Sequence, residues 1–324
     1  MTPRLGSGRR RRGGPLGRGS GLQLTLFGGR EPVALLDETR PRPAPRPARA
    51  TSAGTRLQVL GSGSGGNAVL IESRLGTLLL DAGFSSREIE HRLRSVGVEP
   101  RRVDAVLLTH EHHDHCRGAA RFARRYRVPV HATGGTFAGR ALRPVVDRRV
   151  IRAGVRFEIA GLSVLPFPVP HDAREPVGFV IEDEAGFRIG VVADLGALEP
   201  AALVHLIDLD VLVLEANHDP EMLRSGPYPF VLKRRVAGDR GHLSNPDAAR
   251  GLDQVLDDAL HTVVLYHLSR VNNRPALALE AVGEAVERSG SSARLVLSDQ
   301  FQPSGWIDLC LPPEDPDEEA GAAS

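Results

Sequence analysis

Cysteine is nearly missing: Cys116 and Cys310 are the two in 324 residues. Two thiols cannot build a disulfide framework, which excludes a secreted disulfide scaffold and makes a reducing cytoplasm the expected compartment. No stretch approaches the ~20 uninterrupted apolar residues that a bilayer span needs, so no membrane association is expected. The start, Met1-Thr-Pro-Arg4 followed by glycines and arginines, lacks the apolar segment of a secretory signal. Lysine is almost absent too, Lys233 being the single one, and the net charge is only +1. That total conceals a basic start and an acidic end. Residues 1–50 carry eleven Arg against Glu31, Asp37 and Glu38, and residues 313–324 carry five acids, which leaves 51–312 at −2. A nearly neutral body has no strong electrostatic footprint for a polyanion.

What is present divides the chain in three. Residues 1–55 are rich in Gly, Pro and Arg and read as a tail that cannot offset its ordering entropy by apolar burial; 313–324 reads the same way. Between them, 56–312 reads as one domain. Strand-like runs fall at 57–60, 68–72, 77–80, 105–108, 156–158, 163–167, 178–182, 188–192, 211–214, 263–266 and 295–297. Helical periodicity falls at 86–96, 118–126, 197–206, 245–256 and 275–288, with Asn245 as a helix cap before Pro246. Meanders come first, then strands alternating with helices, and then the scheme repeats. Two sheets with helices outside fit that order.

The strongest chemical signal is Thr109-His110-Glu111-His112-His113-Asp114-His115, directly after the apolar run Val106-Leu107-Leu108. His110 and His112 lie two apart, so both can face one side of an extended turn, and Asp114 and His115 can reach a second ion as a helix begins. Imidazoles and a carboxylate so close together suit Zn²⁺ or a similar divalent ion. His113 is the spare. Further clusters are the loop Gly61-Ser-Gly-Ser-Gly-Gly-Asn67, which can present backbone N–H groups and hydroxyls to an anion, and Glu215-Ala-Asn-His-Asp219, Gly241-His-Leu-Ser-Asn245 and His267-Leu-Ser-Arg-Val-Asn-Asn273.

The histidine-rich segment resembles the signature of the metallo-β-lactamase superfamily. The later clusters, with Tyr228-Pro229 and Leu232-Lys-Arg-Arg235, resemble its YycJ/WalJ-type branch from about Leu57 to about Pro312. The resemblance implies an α/β fold, an αββα sandwich of two mixed β-sheets flanked by helices. It implies two divalent ions, Zn²⁺ or Mn²⁺, about 4 Å apart: His110, His112 and His171 at one, Asp114, His115 and His267 at the other, and Asp194 bridging. It places a leaving-group proton donor at His242, oriented by Glu215, with Asp114 also in the catalytic set. Ser62, Ser64, Asn67, Ser269, Arg270 and Asn273 are the expected phosphate-binding residues.

The implied activity is phosphodiester hydrolysis by a two-metal-activated hydroxide, as a 5′-to-3′ exonuclease acting on double-stranded DNA rather than RNA. Antibiotic hydrolysis is disfavoured because neither cysteine matches the late cysteine ligand of two-zinc penicillinases. Asp194 and His242 are 48 positions apart, too close for the large insertion of the cleavage-factor nucleases. An RNA-processing nuclease, a thioester or lactone hydrolase of the same fold and a metal-binding scaffold are the alternatives. In the first tail, Gln23-Leu24-Thr25-Leu26-Phe27 resembles the bacterial motif that docks proteins onto the DNA sliding clamp; Gln23, Leu24, Leu26 and Phe27 are its expected contacts.

Overall fold

In the computed structural model, residues 54–309 are described, and the clamp-like segment Gln23–Phe27 and the acidic end lie outside them. The first half of the described chain lays down β1 (Arg56–Gly61), β2 (Ala68–Ser73), β3 (Gly76–Leu80), β4 (Ala105–Leu107), β5 (Val130–Thr133) and β6 (Arg148–Ile151). The second half lays down β7 (Phe157–Ile159), β8 (Leu162–Pro168), β9 (Val177–Glu182), β10 (Arg188–Val192), β11 (Val211–Glu215), β12 (Thr262–Tyr266) and β13 (Arg294–Leu297). A last short strand, β14 (Ile307–Asp308), returns to pair with β1. The two sheets run β14-β1-β2-β3-β4-β5-β6 and β13-β12-β11-β10-β9-β8-β7. Each starts as an antiparallel meander and turns parallel, at β3–β4 in one and β10–β11 in the other. This is the αββα sandwich that the sequence implies.

The strands are continuous apolar runs because both of their faces are covered. Period-two alternation sorts the side chains. Leu78 and Leu80 of β3 enter the layer between the sheets while Leu79 faces out; Val211 and Val213 of β11 enter it while Leu212 and Leu214 face out. Phe179, Ile189 and Tyr266 fill that middle layer from the second sheet. Outside the first sheet lie α1 (Ser86–Ser95), the one-turn α2 (His113–Cys116), α3 (Ala119–Tyr126) and the short α4 (Gly134–Phe137). Outside the second lie α5 (Pro200–Leu203), α8 (Asn245–Asp253) and α9 (Pro275–Ser289), while α6 (Pro220–Ser225) and α7 (Phe230–Val236) come between β11 and α8.

Two helix expectations need correction. The helix expected over 197–206 contracts to α5, because Pro200 has no N–H to donate and so begins a helix rather than continuing one. The cap of α8 is Ser244, one residue before the expected Asn245: the Ser244 hydroxyl accepts from the Asp247 N–H at 3.2 Å. The Asn245 amide is instead paired with that of Asn273.

Candidate metal centre

The loops after β3, β4, β10, β11 and β12 leave the carboxyl ends of parallel strands at one edge of the sandwich, the end at which open α/β sheets gather ligands. Beyond β4, Thr109 donates both its N–H and its hydroxyl to Asp81, at 2.9 and 3.0 Å. This clamp fixes where His110 leaves the strand. His112 follows in extended backbone (φ −63°, ψ 149°) and starts α2, whose single turn carries Asp114 and His115.

The structure brings the seven expected ligand residues together. His110, His112, His171 and Asp194 each offer one ligand atom, all within 4.8 Å of one another, and Asp114, His115, Asp194 and His267 do the same. Asp194 belongs to both groups. Its Oδ2 lies 3.3 Å from His115 Nε2, 3.4 Å from His110 Nε2 and 3.5 Å from His171 Nε2. His113, the spare histidine, is exposed at the mouth.

Neighbouring hydrogen bonds orient the rings. His115 Nδ1 lies 2.7 Å from Asp81 Oδ2, and His171 Nδ1 donates to the Gly241 carbonyl at 2.9 Å. Both rings therefore turn Nε2 inward toward Asp194, the side on which a cation would be held. His171 Nε2 is 3.1 Å from His112 Nδ1, and His110 Nε2 is buried without a hydrogen-bond partner. A buried ring nitrogen without a partner is costly unless a ligand satisfies it. These residues fit a divalent metal, and their nitrogen and oxygen donors suit Zn²⁺ or Mn²⁺.

The electrostatics agree. Burial opposes the charge on Asp194, but His267 and His115 outweigh it and hold the carboxyl well below its ordinary range. Asp114 is likewise held low against burial, by His115 and His267. Burial pushes His171 down to about 4 and, with His115 beside it, lowers His110. His115 and His267 are raised well above the usual histidine value, because Asp194 above all outweighs their burial. Ionised carboxylates beside neutral imidazoles form a cation trap, and the protons on His115 and His267 are those that a metal displaces.

A third group joins Asp194 and His267 to Glu215 and His242. Glu215, at the end of β11, is fully buried. One of its oxygens accepts from the Leu195 and Leu243 N–H groups; the other lies 2.8 Å from His242 Nδ1 and 3.0 Å from His267 Nδ1. With Nδ1 committed to Glu215, Nε2 is the His242 nitrogen available to the adjoining cavity of about 260 Å³, which Asp114, Asp172, Asp194, Leu232 and Arg235 also line. Burial disfavours a charged His242, but Glu215 outweighs it, so the pKa lies above the ordinary value.

Four of the six expected phosphate-binding side chains face inward instead. Ser62 Oγ accepts the His267 N–H at 2.7 Å and donates to Asn67 Oδ1, and Asn67 Nδ2 lies 3.1 Å from His115 Nε2. Ser269 accepts from the Asn272 N–H, and Asn273 donates to the Ala216 and Asn217 carbonyls. All four are buried, held there by the backbone groups they satisfy. Ser64 and Arg270 are exposed. Cys116 closes α2 with its thiol on the Glu111 carbonyl, pushed up to about 12 by burial, and is no ligand.

The sequence reading missed Asp81, Asp172 and Asn217. Asp81 follows an apolar strand as Asp194 does, but stands alone without a spaced partner to mark it. Asp172 directly follows His171 and pairs with Arg235 of α7 across the mouth. Asn217 donates to the His267 carbonyl at 2.8 Å.

Residues 77–268 match the family model described as the beta-lactamase superfamily domain. The exodeoxyribonuclease YycJ of Bacillus anthracis is 32% identical over 241 residues, which is 73% of this chain and 91% of that protein. The exodeoxyribonuclease WalJ of Streptococcus pneumoniae is 32% identical over 232 residues, 69% of this chain and 86% of that one. Among solved structures, the metallo-beta-lactamase fold protein YhfI of Bacillus subtilis shares the fold with a TM-score of 0.61 at 15% identity, over 79% of this chain and 100% of that one.

Proposed function

Because this chain belongs to the beta-lactamase superfamily domain family, in the branch of YycJ and WalJ, we propose that it is a cytoplasmic exonuclease that hydrolyses DNA phosphodiesters from the 5′ end with two divalent ions. One observation carries the reading: two largely buried groups of nitrogen and oxygen donors share Asp194, and the His242–Glu215 pair stands beside them. His110, His112 and His171 would hold one ion and Asp114, His115 and His267 the other, as Zn²⁺ or Mn²⁺, with Asp194 as the ligand shared by the two groups. When bound, the ions supply Lewis acidity toward a phosphodiester and toward water.

The remaining work falls to side chains. His242 enters the reaction protonated at Nε2. It gives that proton to the leaving oxygen as hydroxide forms the new P–O bond and the old one breaks, and is left as a neutral imidazole held by Glu215, which stays ionised. The exposed Ser64 hydroxyl and Arg270 meet the substrate phosphates, while Ser62, Asn67, Ser269 and Asn273 hold the loops that present them. Outside the described residues, Gln23, Leu24, Leu26 and Phe27 are proposed to dock on the sliding clamp. A peptide spanning residues 20–30 binds it, and Phe27→Ala abolishes binding.

The test is metal-loaded protein offered 5′-phosphorylated duplex DNA, single-stranded DNA and RNA in parallel. DNA is degraded fastest, from its 5′ end. His242→Ala lowers kcat by ~10²- to 10⁴-fold, and Asp114→Ala and Asp194→Ala remove most activity with the circular dichroism spectrum unchanged. Undiminished turnover by either aspartate variant overturns the reading.

A further inference from the structure

The near-neutral charge of the body conceals a segregation. Between Asp114 and Asp147 the chain carries seven arginines and no carboxylate. They lie between the end of α2 and the start of β6, and three of them form a line. His113, Arg117, Arg121 and Arg124 recur at intervals of four, four and three, the spacing of one helical face. All four are exposed, whereas Cys116, Ala119, Phe122 and Ala123 on the opposite face are buried. Arg117 and Gly118, which join α2 to α3, both keep right-handed helical backbone (φ −49°, ψ −43° and φ −92°, ψ −15°), so the face runs on across the junction.

The line begins at the metal centre. His113 lines the cavity that Asp114, Asp194 and His242 also line. Each arginine stands roughly one helical turn beyond the last, which puts Arg124 about 16 Å from His113 along the helical path. Among the described residues nothing pairs with these three guanidiniums. Arginines elsewhere do find acids: the neighbouring Arg125 lies 3.5 Å from Glu90, and Arg74, Arg156 and Arg288 pair with Glu184, Glu182 and Asp253. A row of like charges without acidic partners repels itself and gains by meeting a polyanion.

Duplex DNA is a stiff rod of the complementary sign, with a phosphate every ~3.4 Å along each strand. On the nuclease reading above, on which this rests, we propose that Arg117, Arg121 and Arg124 form a track for the backbone of double-stranded DNA, leading the duplex to the mouth of the metal centre at His113. Contacts to phosphate alone carry no sequence information, so the track accepts any duplex and lets it advance as its end is consumed. A straight row of cations suits a rod better than a single strand, which must be ordered to lie along it.

The test follows KM of the metal-loaded full chain for a 5′-phosphorylated duplex of about 20 base pairs as KCl rises from about 50 to about 200 mM. In the triple variant Arg117→Gln, Arg121→Gln, Arg124→Gln, the slope of log KM against log salt is shallower by about 2.7, three phosphate contacts at about 0.9 each, so KM climbs about 40-fold less than in the wild type over that interval. KM at the lowest salt is higher in the variant, while its circular dichroism spectrum and Tm are those of the wild type. A control triple, Arg74→Gln, Arg156→Gln, Arg288→Gln, removes the same charge from paired arginines and keeps the wild-type slope. Equal slopes in the wild type and the first variant, or an equal change in the control, overturns the track while the nuclease reading stands. A difference that disappears when residues 313–324 are deleted assigns the stripe to the acidic end of the chain and likewise overturns the track. Metal-loaded wild type that cleaves no nucleic acid overturns the nuclease reading and the track together.

Discussion

Asp81 ends β3 in left-handed backbone (φ 58°), fully buried, with its carboxylate accepting from Thr109 and facing His115 Nδ1 at 2.7 Å. It touches no expected metal position, yet it sets the ring orientation of His115 and the exit angle of His110. Asp81→Asn removes an anion from behind His115 and turns a strong acceptor into an amide. Metal affinity is expected to fall by ~10- to 100-fold, the usual cost of losing such a supporting partner, measured by competition with a chelating dye. Unchanged affinity would show that Asp81 serves only the backbone. Of the seven expected ligand residues, His110, His112, Asp114 and His115 were legible as a dense cluster after an apolar strand, and His171, Asp194 and His267 through the resemblance, which places ligands in that order at strand ends. Asp81 was not, since a single aspartate after three leucines has no spacing partner. The inward turn of Ser62, Asn67 and Asn273 was not legible either, because a loop's composition reveals its donors and not which side they face.

At the level of elements, the strands read best were those buried on both faces. β6 escaped notice for the opposite reason, whereas β5, mostly buried beside it, is only four residues long. Arg148, Arg149 and Val150 of β6 are exposed, so the edge strand lacks the apolar run that marks a central one. This edge contains a titratable contact: His131 of β5 stacks on Phe157 of β7, with ring centroids 5.7 Å apart and planes 7° apart, joining the two sheets. Burial, and next Arg149, lower the His131 pKa from 6.5 to about 4. Between those values the unfolded chain binds a proton that the folded one refuses, so this contribution is complete above pH 6.5 and is lost as the pH falls toward 4. His131→Phe keeps the stack and removes the titration. In metal-loaded protein, the drop in urea midpoint from pH 7 to pH 4.5 should be smaller in this variant than in the wild type; equal drops count against the assignment.

On the scale of the molecule, the ligand set belongs to neither sheet alone. His110, His112, Asp114 and His115 follow β4 of the first sheet, whereas His171, Asp194 and His267 follow β8, β10 and β12 of the second. Ions held between them would tie the layers together and oppose unfolding by mass action, by about 2.7 kcal/mol at a free concentration one hundred times Kd. Chelation should therefore lower Tm, and restoring Zn²⁺ or Mn²⁺ should raise it again; a melting curve indifferent to chelator would mean that the ions do not bind here. The same division has a temporal side. A ribosome makes the chain from the first sheet toward the second and supplies the seventh donor only at residue 267. A polypeptide released before that point carries an open-sided cage, so on the proposed reading a prematurely terminated product cannot damage the genome.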